Sequence, residues 1–230
     1  MEAALIKAQK ELQTLPPKAA FLTLFQPAFR RSTVFAMLIA FFNQLSGINA
    51  VIYFAPRIFE AAGLPAEDAL FSTIGIGVVN VLATLAGLYL IDRLGRRVLM
   101  GIGSVGYVIS LSLMAYSYLG SGLPEGLLPF FVFFFIASHA IGQGAVIWVF
   151  IGEMFPNALR AKGQALGCGI HWVLAALITN VFPALVSIFG AGQLFLFFAG
   201  MMLLQTFWVW KFMPETKGKS LEEVHHSPAN

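Results

Sequence analysis

Three side-chain amides fall within one short stretch of an apolar run, Asn43-Gln44-Leu45-Ser46-Gly47-Ile48-Asn49. In hydrocarbon an amide without a partner costs several kcal/mol. Two readings are open for any one of them: a hydrogen bond between helices, or a contact to a ligand. Three so close together favour the ligand. Amides both donate and accept and carry no charge, so they suit a neutral molecule rich in hydroxyls. On a straight helix Gln44 and Asn49 point roughly 140° apart, at about 100° per residue. A common site therefore predicts unwinding near Ser46-Gly47, where glycine makes the break inexpensive, as in the discontinuous helices of transporters.

Asn80 stands at the centre of another apolar run, on a face made by Thr73, Gly77, Asn80, Thr84 and Gly87. The small residues there read as close helix packing, and Asn80 as a ligand contact. Trp148 lies in a further run, several residues from the expected interface. There its indole can cover the apolar face of a ring while its N–H donates. His139 and Gln143, at i and i+4, share a helix face. With no carboxylate in the run, His139 reads as a structural hydrogen bonder ahead of a proton carrier.

The elements that must position these groups follow from composition. Of 230 residues, 58% are hydrophobic and 11% charged, with mean hydropathy +0.80, against about 25% charged in ordinary soluble domains. Six stretches are long and apolar enough to cross a bilayer, at 32–55, 69–91, 98–119, 126–151, 163–189 and 191–213. Residues 1–20 carry Lys7, Lys10 and Lys18 with no apolar run, so no cleavable leader is expected and the amino terminus is placed in the cytoplasm. All Lys and Arg residues but Arg57 then fall on the cytoplasmic side, which fits the positive-inside rule. The pI near 9.1 accordingly reports topology and not nucleic-acid binding.

A short helix is expected at 2–14, ended by Pro16 and Pro17. The chain divides into a cytoplasmic segment, 1–31, a six-helix bundle, 32–213, and a cytoplasmic tail, 214–230. Spans one to three and four to six could be inverted repeats. The single cysteine, Cys168, lies inside a span and reads as a packing residue. No disulfide, metal site or cofactor is expected, and no nucleophile, base and orienting group gather as an enzyme would require.

Four motifs, in order, carry a resemblance: Gln44-Leu45-Ser46-Gly47-Ile48-Asn49, Asp92-Arg93-Leu94-Gly95-Arg96-Arg97, the stretch from Glu153 to Arg160, and Pro214-Glu215-Thr216-Lys217-Gly218. From about residue 25 to 223 the chain resembles the sugar porter family of the major facilitator superfamily, matching its carboxyl-terminal half, helices seven to twelve. The resemblance implies an all-α membrane fold and a sugar site. In it Asn43 and Gln44 take the place of a Gln-Gln pair, Asn49 the following amide, Asn80 the helix-eight amide and Trp148 the helix-ten indole. A polar helix-eleven position is His171, followed by Trp172. Asn43 and His171 depart from the family pattern, as does Gly142-Gln143-Gly144-Ala145 where many members have Gly-Pro-Gly-Pro, and the sugar is left open.

The resemblance further implies an inner salt-bridge network of Asp92, Arg93, Arg96, Arg97, Glu153 and Arg160 that helps to hold the outward-facing state. The expected function is transport of a monosaccharide across a cell membrane by alternating access. The expected partners are the bilayer and a complementary six-helix half or a second copy. A homodimeric transporter and a non-transporting sugar sensor are the alternatives. No Asp or Glu falls in mid-span, so proton symport and facilitated diffusion both stay open.

Overall fold

The computed structural model describes residue 16, residues 21–120 and residues 126–218. The expected helix at 2–14, together with Lys7, Lys10, Pro17, Lys18, Glu125 and Lys219, lies outside the described residues. Six helical spans are long and apolar enough to cross a membrane: Arg30–Ala61, Ala66–Leu94, Arg96–Leu119, Leu128–Glu153, Asn157–Phe189 and Ala191–Lys211. Each holds most or all of one of the apolar runs read from the sequence. Before the first span, Leu24 is buried and its carbonyl accepts from Thr33 Oγ1 at 2.6 Å, which ties the approach segment to the bundle.

Two spans are interrupted. The first stops at Leu45 and restarts at Ile48. Gly47 between them takes φ 78°, a left-handed conformation that costs glycine least. A Cβ there would also meet the Phe198 ring at 2.6 Å. The fourth span passes through a π-helical turn, Ala140–Gly144, a form frequent at functional sites. At that turn the third and fourth spans touch through backbone, since a Cβ on Gly103 would lie 2.7 Å from the Gly142 Cα.

The third and sixth spans pack along each other, the first half of the first span lies on the fifth, and the fourth span contacts the second, third and fifth. First-on-fifth packing is thus echoed by fourth-on-second, and the two broken spans occupy equivalent places. This arrangement fits the two-repeat reading of the sequence. Burial is uneven. Of the apolar windows of the second and fifth spans only 17% and 11% is buried, against 50–67% in the others. Those two helices therefore present long faces away from the bundle, with Phe71, Ile74 and Leu82 exposed on one and Val173, Leu177 and Ile188 on the other.

Candidate functional site

The break in the first span brings the amides together. Asn49 Nδ2 donates to Gln44 Oε1 at 2.9 Å, and Gln44 Nε2 donates to Asn43 Oδ1 at 3.1 Å. The bend itself is held by Ser46, whose hydroxyl donates to the Asn43 carbonyl at 2.6 Å and accepts from the Ile48 amide at 3.3 Å. Gln44 Nε2 also reaches the fifth span, 3.1 Å from His171 Nδ1 and 3.2 Å from His171 Nε2. Ring centroids of His171 and Trp148 are 5.2 Å apart, edge to face, and those of His171 and Trp172 are 5.1 Å apart. One continuous array thus runs from Asn49 through Gln44 and His171 to Trp148.

Exposure divides the array into two ranks. Asn43 and Gln44 are each 1% exposed, so in this conformation they fix their neighbours from behind. Asn49, Trp148 and His171 are half-buried and Trp172 is exposed, so these four can meet a ligand. Asn80 is half-buried and makes no side-chain hydrogen bond among the described residues. No hydrogen bond among the described residues joins it to the array, and its amide stays available.

Two open cavities flank these residues. One, of about 420 Å³, is lined by Trp148, Val149, Gly152, Glu153, Arg160 and Gln164 and runs toward the basic end of the bundle. The other, of about 550 Å³, lies toward the opposite end, with Tyr53, Trp172, Thr179 and Asn180 on its wall.

At the basic end, the Arg96 guanidinium meets Glu153 with two parallel bonds, Nη2 to Oε1 at 2.7 Å and Nε to Oε2 at 3.0 Å. This bidentate geometry is the strong form of an Arg–carboxylate pair. Arg96 Nη1 adds Asp92 Oδ1 at 3.3 Å and the Ile91 carbonyl at 3.1 Å. The expected six-residue network is smaller here than the resemblance implied. Among the described residues the guanidinium groups of Arg93, Arg97 and Arg160 have no carboxylate partner. Arg93 stacks on Tyr89, 4.0 Å from the ring centroid. Arg97 donates to the Trp210 carbonyl, and Arg160 Nε to the Gly152 carbonyl at 2.8 Å. Carbonyl groups at helix ends need donors, and these arginines supply them.

Two groups that the sequence reading gave no role complete the cluster. Thr216 Oγ1 donates to Glu153 Oε2 at 2.6 Å. Glu215 accepts from the backbone N–H groups of Arg96 at 2.9 Å and Arg97 at 3.0 Å, placing a carboxylate on the amino end of the third span, where the helix dipole favours it. Gly95 leaves room for it, since a Cβ would lie 2.5 Å from Glu215 Oε2. Residues 214–216 therefore pack into the bundle, with Pro214 and Thr216 buried, beyond the boundary expected at 213.

A second polar cluster sits behind the π turn. His139 Nδ1 pairs with the buried Tyr107 hydroxyl, and Gln143 Nε2 donates to Gln205 Oε1. Gln205 Nε2 in turn donates to Ser104 Oγ at 2.7 Å. These bonds tie the third, fourth and sixth spans together. The π turn separates the faces of His139 and Gln143, which go to different partners and not to one.

Comparison with known proteins identifies the family and the fold. The sequence model of the family described as "Sugar (and other) transporter" matches residues 2–227. The arabinose-proton symporter of Bacillus subtilis is 35% identical over 87% of this chain and 43% of its own length. The facilitated trehalose transporter of Polypedilum vanderplanki is 34% identical over 96% of this chain and 45% of its own. Among solved structures, the major facilitator superfamily proton:xylose symporter XylE bound to 6-bromo-6-deoxy-D-glucose superposes with a TM-score of 0.72 at 33% identity. That match covers 84% of this chain and 42% of that one. The chain spans less than half the length of each of these relatives.

Proposed function

The chain belongs to the sugar transporter family, and on that premise we propose that it forms the carboxyl-terminal half of the path for a monosaccharide, moved by alternating access. The observation that carries this reading is the break at Gly47. It gathers Asn43, Gln44 and Asn49 against His171 and Trp148, between cavities that open toward opposite ends of the bundle. Asn49 and His171 offer hydrogen bonds to sugar hydroxyls, Trp148 offers an apolar platform for the ring, and Asn80 supplies a further free amide. Asn43 and Gln44 orient the others. Trp172 faces the cavity at the far end and meets the sugar on its way in or out.

The Arg96, Asp92 and Glu153 cluster, with Thr216 and Glu215, is the conformational clasp. It joins the second, third and fourth spans to the segment after the sixth, so it breaks only if those ends separate, as in a rigid-body movement. The weakly buried second and fifth spans rest against a complementary six-helix half, which rocks against this one. In this reading the protein is a multi-pass protein of a cell membrane with the basic end, and both ends of the chain, in the cytoplasm. The test is equilibrium binding of labelled D-xylose and labelled D-glucose to membranes holding this chain together with the complementary half. Saturable binding that is lost in Trp148→Ala and Asn49→Ala supports the site, and saturable binding unchanged by both substitutions overturns it.

A further inference from the structure

Gln44 is fully engaged: its two N–H groups go to Asn43 Oδ1 and to His171, and its oxygen accepts from Asn49. The approach to His171 is almost symmetric, at 3.1 Å from one ring nitrogen and 3.2 Å from the other. The lone pairs of the ring nitrogens lie in the ring plane and diverge, so a group this close to both stands over the ring face, and the Gln44 N–H meets the π face of the neutral imidazole in either tautomer. The imidazolium has no acceptor and carries a positive charge, so its face repels the Gln44 N–H.

From this geometry we propose that His171 is a proton-operated positioning residue that sets the donor and acceptor pattern of the amide array. With His171 neutral, the array is as described: the Gln44 oxygen faces Asn49 and its nitrogen faces Asn43 and His171. One proton, added to the unprotonated ring nitrogen, sets a cationic ring face against the Gln44 N–H. The Gln44 amide then turns over, so that its negative Oε1 faces the imidazolium. Its nitrogen now faces the Asn49 nitrogen, and its oxygen faces the Asn43 oxygen. Asn43 and Asn49 must turn their own amides or lose their bonds. A single proton thus exchanges donors for acceptors at Asn49, which stands at the ligand-facing edge. No heavy-atom bond forms or breaks.

The surroundings isolate this switch. No Asp, Glu, Lys or Arg occurs in 32–56, 69–91, 98–119, 128–152, 163–189 or 191–210. His139, on the fourth span, interacts electrostatically with His171 and is paired with Tyr107 on the third. On the first span, Tyr53 shares the far cavity with Trp172. On the fifth span itself, Cys168 lies three residues before His171, and Arg160 and Lys162 stand at the basic end. Lys211 closes the sixth span at that end.

The physiological meaning rests on the sugar-site reading, but the test needs no sugar. The full chain in lipid nanodiscs is labelled with 15N-glutamine, and the Gln44 side-chain NH₂ resonances, identified by their absence in Gln44→Met, are followed from pH 5 to pH 8.5. The expected result is a shift of both resonances with one midpoint, lost in His171→Gln and in His171→Asn. In His139→Asn the shift persists with a displaced midpoint. Resonances that stay flat in the unsubstituted chain overturn the proposal, as does a titration that survives both His171 substitutions. Either result leaves the sugar-site reading intact, whereas an intact titration without sugar binding at any pH counts against the sugar site alone.

Discussion

Gln44 and Asn49 stand five residues apart, a spacing that puts side chains on opposite flanks of a straight helix, yet Asn49 Nδ2 donates to Gln44 Oε1 at 2.9 Å. Gly47, at φ 78°, makes that bond possible. Everything proposed for the ligand site depends on this one break, because it turns two distant amides into one surface.

Gly47→Ala is therefore expected to act twice. It forces a non-glycine residue into the left-handed region and drives a Cβ to 2.6 Å from Phe198. Together these cost about 1–3 kcal/mol. A lowered thermal midpoint in detergent, with sugar affinity falling in parallel, is the expected outcome. Unchanged midpoint and affinity contradict the role given to the break.

Trp148 is expected to act through its face, next to His171. Trp148→Ala removes the platform and should weaken sugar binding by about 0.5–1.5 kcal/mol, up to roughly tenfold, while Trp148→Phe keeps most of it. Calorimetric titration of the assembled transporter separates the two. Equal losses in both variants point to the indole N–H instead of the ring.

Glu153 binds Arg96 through both carboxylate oxygens, and the Arg96 side chain is only 10% exposed. Glu153→Gln removes the charge, keeps the size and loosens the clasp. Cys168 is half-buried, the single cysteine of the chain, and it lies one helical turn from Gln164 on the wall of the cavity at the basic end. Its maleimide labelling should speed up in Glu153→Gln. Identical rates in the two proteins remove the clasp from the account.

The Gln143–Gln205 pair makes a prediction about stability. Gln143 Oε1 is buried without a partner among the described residues, and its amide relies on Gln205. Gln205→Leu strands that amide at a cost of about 1–3 kcal/mol, whereas adding Gln143→Leu removes the stranded group and recovers most of the loss. Denaturant titration of the single and double variants measures it, and additive losses exclude the pairing.

The six spans were legible because each is a long apolar run punctuated by charge, and the break at Gly47 because three amides so close together make little sense on an unbroken helix. The residues of the clasp were only half legible. Arg96 and Glu153 stand in recognisable motifs, but which arginine finds a carboxylate is decided by helix ends meeting in space. Arg93 turned to Tyr89 and Arg160 to a carbonyl. Glu215 was visible within its motif, but its place on the third span joins residues 119 positions apart. No local period records a contact of that kind. The same holds for Gln205, one polar residue in an apolar helix until its partners Gln143 and Ser104 are seen.

Uptake of labelled D-xylose into liposomes shows whether this chain is one half of a transporter. The chain is reconstituted alone, and again with a co-expressed complementary half taken from a relative. Saturable uptake is expected only when both halves are present, abolished by Asn49→Ala together with Trp148→Ala. Saturable uptake by the chain alone contradicts this expectation and makes a pair of identical bundles the transporter.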